Sequence, residues 1–220
     1  MNVAVIISAY NAADSLPALF ERTLLVLPKE NIFLVNDGSH DSTDQIGEKF
    51  GVQVISHASN FGKGAALQTG FDAVLKNIFD AVITMDADLQ HRPEDIPRFI
   101  EMYDRTKCDV IIGSRLHNKQ GMPIHRVLSN TVTTGLVRMR TGKAISDSQS
   151  GFRFITRNVI KQITLSSTGF EAETEFLIKA ASLGASFGSI PIETIYAGEK
   201  SNMTHLQTTV NFIKVLLKRY

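Results

Sequence analysis

Asp86 and Asp88 stand one residue apart in "ITMDADLQHRP" (83–93), where an apolar run stops. On a strand that stays extended through residue 88, the two carboxylates project to one side while Ala87 points away. Like charges at such range are unfavourable unless one takes up a proton or a cation sits between them. Oxygen ligands of this sort suit a hard divalent ion, Mg2+ or Mn2+, which keeps waters and bridges to substrate phosphates. Gln90 adds a carbonyl oxygen that could ligate the ion or orient a ligand. The alternative is a solvated turn, for which Asp-Ala-Asp is also good chemistry. His91 follows without ligand spacing and reads more simply as a satisfied polar residue.

The elements that must position the pair are legible in the apolar pattern. "NVAVIIS" (2–8), "NIFLVNDGS" (31–39), "VQVISH" (52–57), "FDAVITMDAD" (79–88) and "CDVIIGSR" (108–115) read as strands. Helical patterns lie between them, at about 16–27, 39–50, 60–76 and 92–105. Alternation with strands apolar throughout predicts an α/β fold, a Rossmann-like, mostly parallel central sheet with helices on both faces. Ligands in such sheets bind outside the carboxyl ends of the strands. Polar residues gather at that rim: Ser8 to Asn11, Asn36 to Ser39, Gly62 to Gly64, Asp86 to Gln90 and Gly113 to Arg115.

Beyond Arg115, "LHNKQGMPIH" (116–125) reads as a mobile loop. Helical patterns resume at about 124–141 and 171–183, while "SGFRFIT" (150–156) and "ASFGSIPIETIYA" (185–197) look like strands. A last amphipathic segment, 206–220, places Leu206, Val210, Ile213, Leu217 and Tyr220 at helical spacing, with Lys214, Lys218 and Arg219 alongside. It could dock on the domain or rest on an anionic membrane surface. The 220 residues suit one domain, divided into a half at 1–115, a second at 116–205 and the final helix.

The composition, 43% hydrophobic and 20% charged with a net charge of +1, carries no disorder signature and no pull toward nucleic acid. Cys108, the only cysteine, cannot form an intrachain disulfide, and the opening "MNVAVIISAYN" lacks a signal-peptide pattern. A cytoplasmic setting, with peripheral association at the membrane face, is the expectation. No apolar run approaches the roughly 18 residues of a membrane helix.

"GKGAAL" (62–67) raises two rival nucleotide chemistries. A dinucleotide fingerprint wants a third glycine where Leu67 stands, and wants it after the first strand; a phosphate loop of the ATPase kind wants Ser or Thr where Gly64 stands. Glycines at a helix start still allow close approach to an anion or a ribose, or else tight packing of helix and strand.

Taken in order, "AYN", "VNDGSHDST", "NFGKGAALQTGF", "MDADLQHRPEDIP", "IIGSR", "ISDSQSGFR" and "GFEAETEFLIKAASLG" resemble glycosyltransferase family 2, with the GT-A fold, and most closely its dolichyl-phosphate mannosyltransferase and bactoprenol glucosyltransferase branch. The resemblance covers nearly the whole chain. It implies inverting, metal-dependent transfer of a sugar from a GDP- or UDP-sugar to a polyprenyl phosphate, with a glycan or other soluble acceptor as the alternative. A catalytically silent nucleotide-sugar-binding subunit is the reading from another class. Some members of the branch carry transmembrane helices after the catalytic domain, so a separate membrane-protein partner is a further expectation.

Residue by residue, the resemblance implies that Tyr10 and Asn11, with Ser8 beside them, lie by the nucleotide, and that Asp37 reads the base edge. Gly62 and Lys63 would approach base and ribose. Asp86 is expected on the sugar and ribose side and as a metal ligand, Asp88 on the metal and diphosphate, and Gln90 as a third ligand. Arg115, Arg126, Arg153 and Lys200 match basic positions on the donor diphosphate or acceptor phosphate. On the residues alone, Asp37 could simply make a turn, Arg115, Arg126 and Lys200 could be surface charges, and Arg153 could pair with Asp147. A hydroxyl acceptor would need a base, whereas a phosphate is already anionic. Glu173 is the first choice for such a base and Asp147 the next; Glu171, Glu173 and Glu175 cannot all face the site from one helix, where they also complement its dipole.

Overall fold

The computed structural model describes residues 1–116, 123–193 and 205–220, without the side chains of 125 and 205–207. Seven strands, β1 (Val3–Ala9), β2 (Ile32–Asn36), β3 (Gln53–Ser56), β4 (Ala81–Asp86), β5 (Val110–Ser114), β6 (Arg153–Thr156) and β7 (Phe187–Pro191), form one sheet in the order β3-β2-β1-β4-β6-β5-β7. Every pairing is parallel except those of β6, which runs antiparallel between β4 and β5. β2 and β5 are buried along their whole length because helices cover both faces. β3 departs from the apolar expectation: it is an edge strand, with Gln53 and Ser56 exposed and Val54 and Ile55 half-buried.

The helices are α1 (Leu16–Thr23), α2 (Thr43–Phe50), α3 (Lys63–Leu75), α4 (Ile96–Thr106), α5 (Ile124–Thr141), α6 (Arg157–Ile160), α7 (Ala172–Ser182) and α8 (His205–Leu217). Successive strand residues feed opposite cores, as the pleat requires. Ala4 and Ile6 join Phe71 of α3 and Phe176 of α7 on one face. Val5 and Ile7 join Phe20 of α1, Phe99 of α4 and Phe152 on the other.

Three elements differ from the sequence pattern. α1 stops at Thr23, whose hydroxyl bonds the Leu19 carbonyl, and the chain continues to Leu27 in turns. β4 ends at Asp86 rather than running through 88, and Leu89 adopts a left-handed φ of 59°. α8 packs against α5 and α7 through Phe212 and Val215, so Val210, Ile213 and Leu217 of the anticipated apolar stripe face solvent. Arg140 of α5 donates to the carbonyls of Leu216 and Lys218, closing the end of α8. Most of the 116–125 loop, the 194–197 end of the last expected strand and the Leu206 side chain lie outside the described residues.

Candidate active site

The sheet register brings the strand exits together. Ser8 is the cross-strand partner of Asp86, Ala9 of Asn36, and Asn36 in turn of Ser56. Asn11, at φ 50°, ties the first two exits: its amide donates to Ser39 Oγ (2.9 Å) and its side-chain oxygen accepts the His40 N–H (2.9 Å). Asparagine tolerates this left-handed conformation better than most residues. Tyr10 beside it is exposed.

Asp37 is buried and held by the chain itself. Its Oδ1 accepts His57 Nδ1–H (2.7 Å) and the Phe61 N–H (2.9 Å), and its Oδ2 accepts the Gly62 N–H (2.8 Å). Gly62 has φ 95°, and a Cβ there would collide with the Thr168 carbonyl. Gly64 donates its N–H to that carbonyl (2.6 Å), and a Cβ on it would lie 2.6 Å from that of Ala172. Both glycines thus let the start of α3 lie against the segment that leads into α7.

Starting α3 there aims Lys63 at the carboxylates. Its ammonium, expected near base and ribose, sits 2.7 Å from Asp86 Oδ1 and 2.7 Å from Glu173 Oε1. Behind Glu173 lies Arg153, wholly buried, donating to the carbonyls of Glu173 and Ser148 (2.9 Å each), with Nη2 3.9 Å from Glu173 Oε2. A Cβ on Gly151 would stand 2.8 Å from Asp86 Oδ2, so the chain passes this cluster only as glycine. Ser8, Lys63, Asp86, Arg153 and Glu173 line a cavity of about 10 Å³, room for about one water.

Electrostatics divides the aspartates. Burial opposes the charge of Asp86, but Lys63, with His91 at 3.7 Å, outweighs it and holds the carboxyl far below its usual range. Asp88 moves the other way: burial first, then the Asp86 charge, raises it. Among the described residues no lysine or arginine forms an ion pair with Asp88; its Oδ1 accepts the Gln90 N–H (3.0 Å).

Arg115 chelates the buried Asp147 (2.9 and 3.1 Å), and burial notwithstanding, the guanidinium lowers that carboxyl's pKa. Asp147 is therefore the partner of Arg115, and not of Arg153. Arg126 lies in the first turn of α5, outside the Lys63 cluster, and Lys200 lies outside the described residues. Glu171 turns to the Gly169 N–H, and Glu175 is buried on Ser166, Ser167 and Lys179. Sequence reasoning passed over His57 and Thr69, whose hydroxyl is 2.9 Å from His57 Nε2. The only signal was a histidine closing the third strand.

The donor set fits a hard divalent ion. Among the described residues no three His, Cys, Asp or Glu side chains form a closed metal cage. Two carboxylates, one of them with burial and its neighbour outweighing the nearby positive groups, match an ion such as Mg2+ or Mn2+ that takes one or two protein carboxylates and completes its shell with water and substrate phosphate. Asp88 is the carboxylate with most to gain from the ion, Asp86 its neighbour.

The single mostly parallel sheet, with helices on both faces and an acidic pair at the exit of β4, has the GT-A architecture. Across 98% of this chain and 78% of the other, the fold superposes with a TM-score of 0.76 and 17% identity on glucosyl-3-phosphoglycerate synthase from Mycobacterium tuberculosis, solved with Mn2+, UDP and glucosyl-3-phosphoglycerate. Residues 4–164 match the model of glycosyl transferase family 2, and the chain belongs to that family. It is 33% identical over 224 residues to an uncharacterized protein of Methanocaldococcus jannaschii, covering 98% of this chain and 90% of that one. It is 33% identical over 201 residues to the polyprenol monophosphomannose synthase of Mycolicibacterium smegmatis, covering 86% and 75%. It spans about half the length of several other relatives.

Proposed function

We propose that this glycosyltransferase moves a sugar from a nucleoside diphosphate sugar to a polyprenyl phosphate, with inversion at the anomeric carbon. The observation that carries the reading is the engagement of both carboxylates nominated as bases. Glu173 is held by Lys63 and Asp147 by Arg115. A hydroxyl acceptor needs a spare base within hydrogen-bond reach; a phosphate acceptor is already anionic and attacks without one. The name of the mycobacterial relative, a polyprenol monophosphomannose synthase, points to the same acceptor class. In-line attack by the phosphate oxygen on the anomeric carbon, as the diphosphate departs, inverts its configuration.

Asp88 is the residue we place on the metal, with Asp86 and Gln90 as the other donors. A bound Mg2+ or Mn2+ would neutralise charge growing on the leaving diphosphate. Lys63 fixes the Asp86 carboxylate, and Arg153 backs Glu173 so that Lys63 keeps its place. Exposed Val210, Ile213 and Leu217, with Lys214 on the same helix and Arg219 just past its end, support peripheral contact with an anionic membrane face. No helix among the described residues is long and apolar enough to cross a membrane.

The test is transfer from UDP- and GDP-sugars to a short-chain polyprenyl phosphate, with and without Mn2+. Product should form only with the ion, and Asp88→Ala should abolish it while leaving the metal-free melting temperature in place. Full turnover by Asp88→Ala, or transfer confined to hydroxyl acceptors, would sink the proposal.

A further inference from the structure

We infer that His57 is a specificity-determining residue that restricts the donor's base to one offering a single imide N–H, uracil or thymine, and disfavours guanine. This rests on the proposed function and on the base-edge role that the family resemblance implies for Asp37. A carboxylate has about four lone-pair sites, two on each oxygen. In Asp37 the chain already fills three of them: His57 Nδ1–H and the Phe61 N–H occupy Oδ1, and the Gly62 N–H takes one site on Oδ2. Among the described residues nothing fills the fourth acceptor site, on Oδ2.

Guanine presents two parallel donors, N1–H and the 2-amino group, which engage a carboxylate through both of its oxygens. Here Oδ1 is full, so guanine must leave one donor unpaired or displace a bond that the protein makes. Uracil and thymine present one N–H flanked by carbonyl oxygens, which the single site satisfies. Cytosine and adenine set a ring nitrogen lone pair beside their amino donor and would aim it at the carboxylate. Exposed aromatic rings lie on the adjoining segments: Phe61, 53% exposed with its ring 5.3 Å from that of His57, and Tyr10, 42% exposed and one residue on from the Ala9 carbonyl that accepts the Asp37 N–H. They offer flat faces to a base.

His57 is the removable part of the arrangement, because the other two donors are backbone amides. Asp37 only accepts, so the proton sits on Nδ1, and Thr69 Oγ1 at 2.9 Å from Nε2 holds the ring in that orientation. Removing the imidazole frees a site on Oδ1 and opens Asp37 to paired donors.

Calorimetric titration of the full chain with UDP, dTDP and GDP, in the presence of Mn2+, tests this directly. A buried donor left unpaired is expected to weaken GDP by about tenfold or more relative to UDP and dTDP. His57→Phe should narrow that ratio by at least about fivefold, and Thr69→Val should shift it the same way by less. A merely structural role would weaken all three nucleotides alike. If His57→Phe does not fold, the wild-type ratio and Thr69→Val still decide. GDP binding as tightly as UDP to the wild type, or an unchanged ratio in a folded His57→Phe, overturns the inference while leaving sugar transfer intact. Binding of no nucleoside diphosphate at all overturns the donor reading and this inference together.

Discussion

Glu175→Gln should cost the protein stability in a way that depends on pH, and the dependence is a test of how the start of α3 is held. The Glu175 carboxylate is buried, accepting from the Ser166 amide and hydroxyl (3.0 and 2.7 Å) and the Ser167 amide (2.7 Å), with Lys179 one turn on. Burial disfavours its charge, but Lys179 and the two serines outweigh burial and bring the pKa from 4.5 to about 2. That difference corresponds to ~3 kcal/mol of stability above the unfolded-state pKa. Because the folded value is the lower one, the contribution is complete above about pH 5 and fades as pH falls toward 2; by pH 3, ~2 kcal/mol of it should be gone. Urea unfolding of wild type and Glu175→Gln at pH 7, 5 and 3 reads the effect. With a slope on the order of 2 kcal/mol/M, the gap between their midpoints should shrink by ~1 M between pH 5 and pH 3. Midpoints that fall in parallel would refute the reasoning. The functional link is short: Ser167 and Thr168 are the backbone against which Gly64 and Gly62 pack, so loosening Glu175 should also weaken donor binding through Lys63.

Asp88→Asn removes a charge that burial and Asp86 both disfavour; the metal-free protein should melt no lower than wild type, while transfer falls by ~100-fold or more. Lys63→Met leaves Asp86 and Glu173 facing each other without their shared cation, and should lower stability by ~3 kcal/mol in a urea titration. Lys107 ends α4 at φ 52°, so Lys107→Gly should stabilise by ~0.5–1 kcal/mol, measured the same way, with donor affinity unchanged.

The sheet was legible because most of its strands are buried on both faces, which leaves the continuous apolar runs that β2 and β5 display. What patterning could not convey is which face of a marginal helix is covered. α8 carries apolar residues on more than one side, and its packing on α5 and α7 selects Phe212 and Val215 over the stripe with the better spacing. The aspartate pair was readable from residue type and position at a strand exit. Its division was not, because residues 63, 86 and 173 meet only through the crossover topology, and no local spacing records that Lys63 pairs directly with Asp86. Asp37 stood out within "NDGS", whereas His57, twenty residues on, became informative only once the register of β2 and β3 set it beside that carboxylate.

The antiparallel strand β6 has a consequence for how the enzyme is made. It is inserted between β4 and β5, both of which leave the ribosome long before it does. Until β6 and the start of α7 have been synthesised, β4 and β5 each present an unsatisfied edge, and the lysine–carboxylate cluster lacks Arg153 and Glu173. The nascent chain therefore holds Asp37, Lys63, Asp86 and Asp88 before the residues that complete their cluster exist. The cluster is completed late, by a strand and a helix from the second half of the sequence, with the strand set between two from the first.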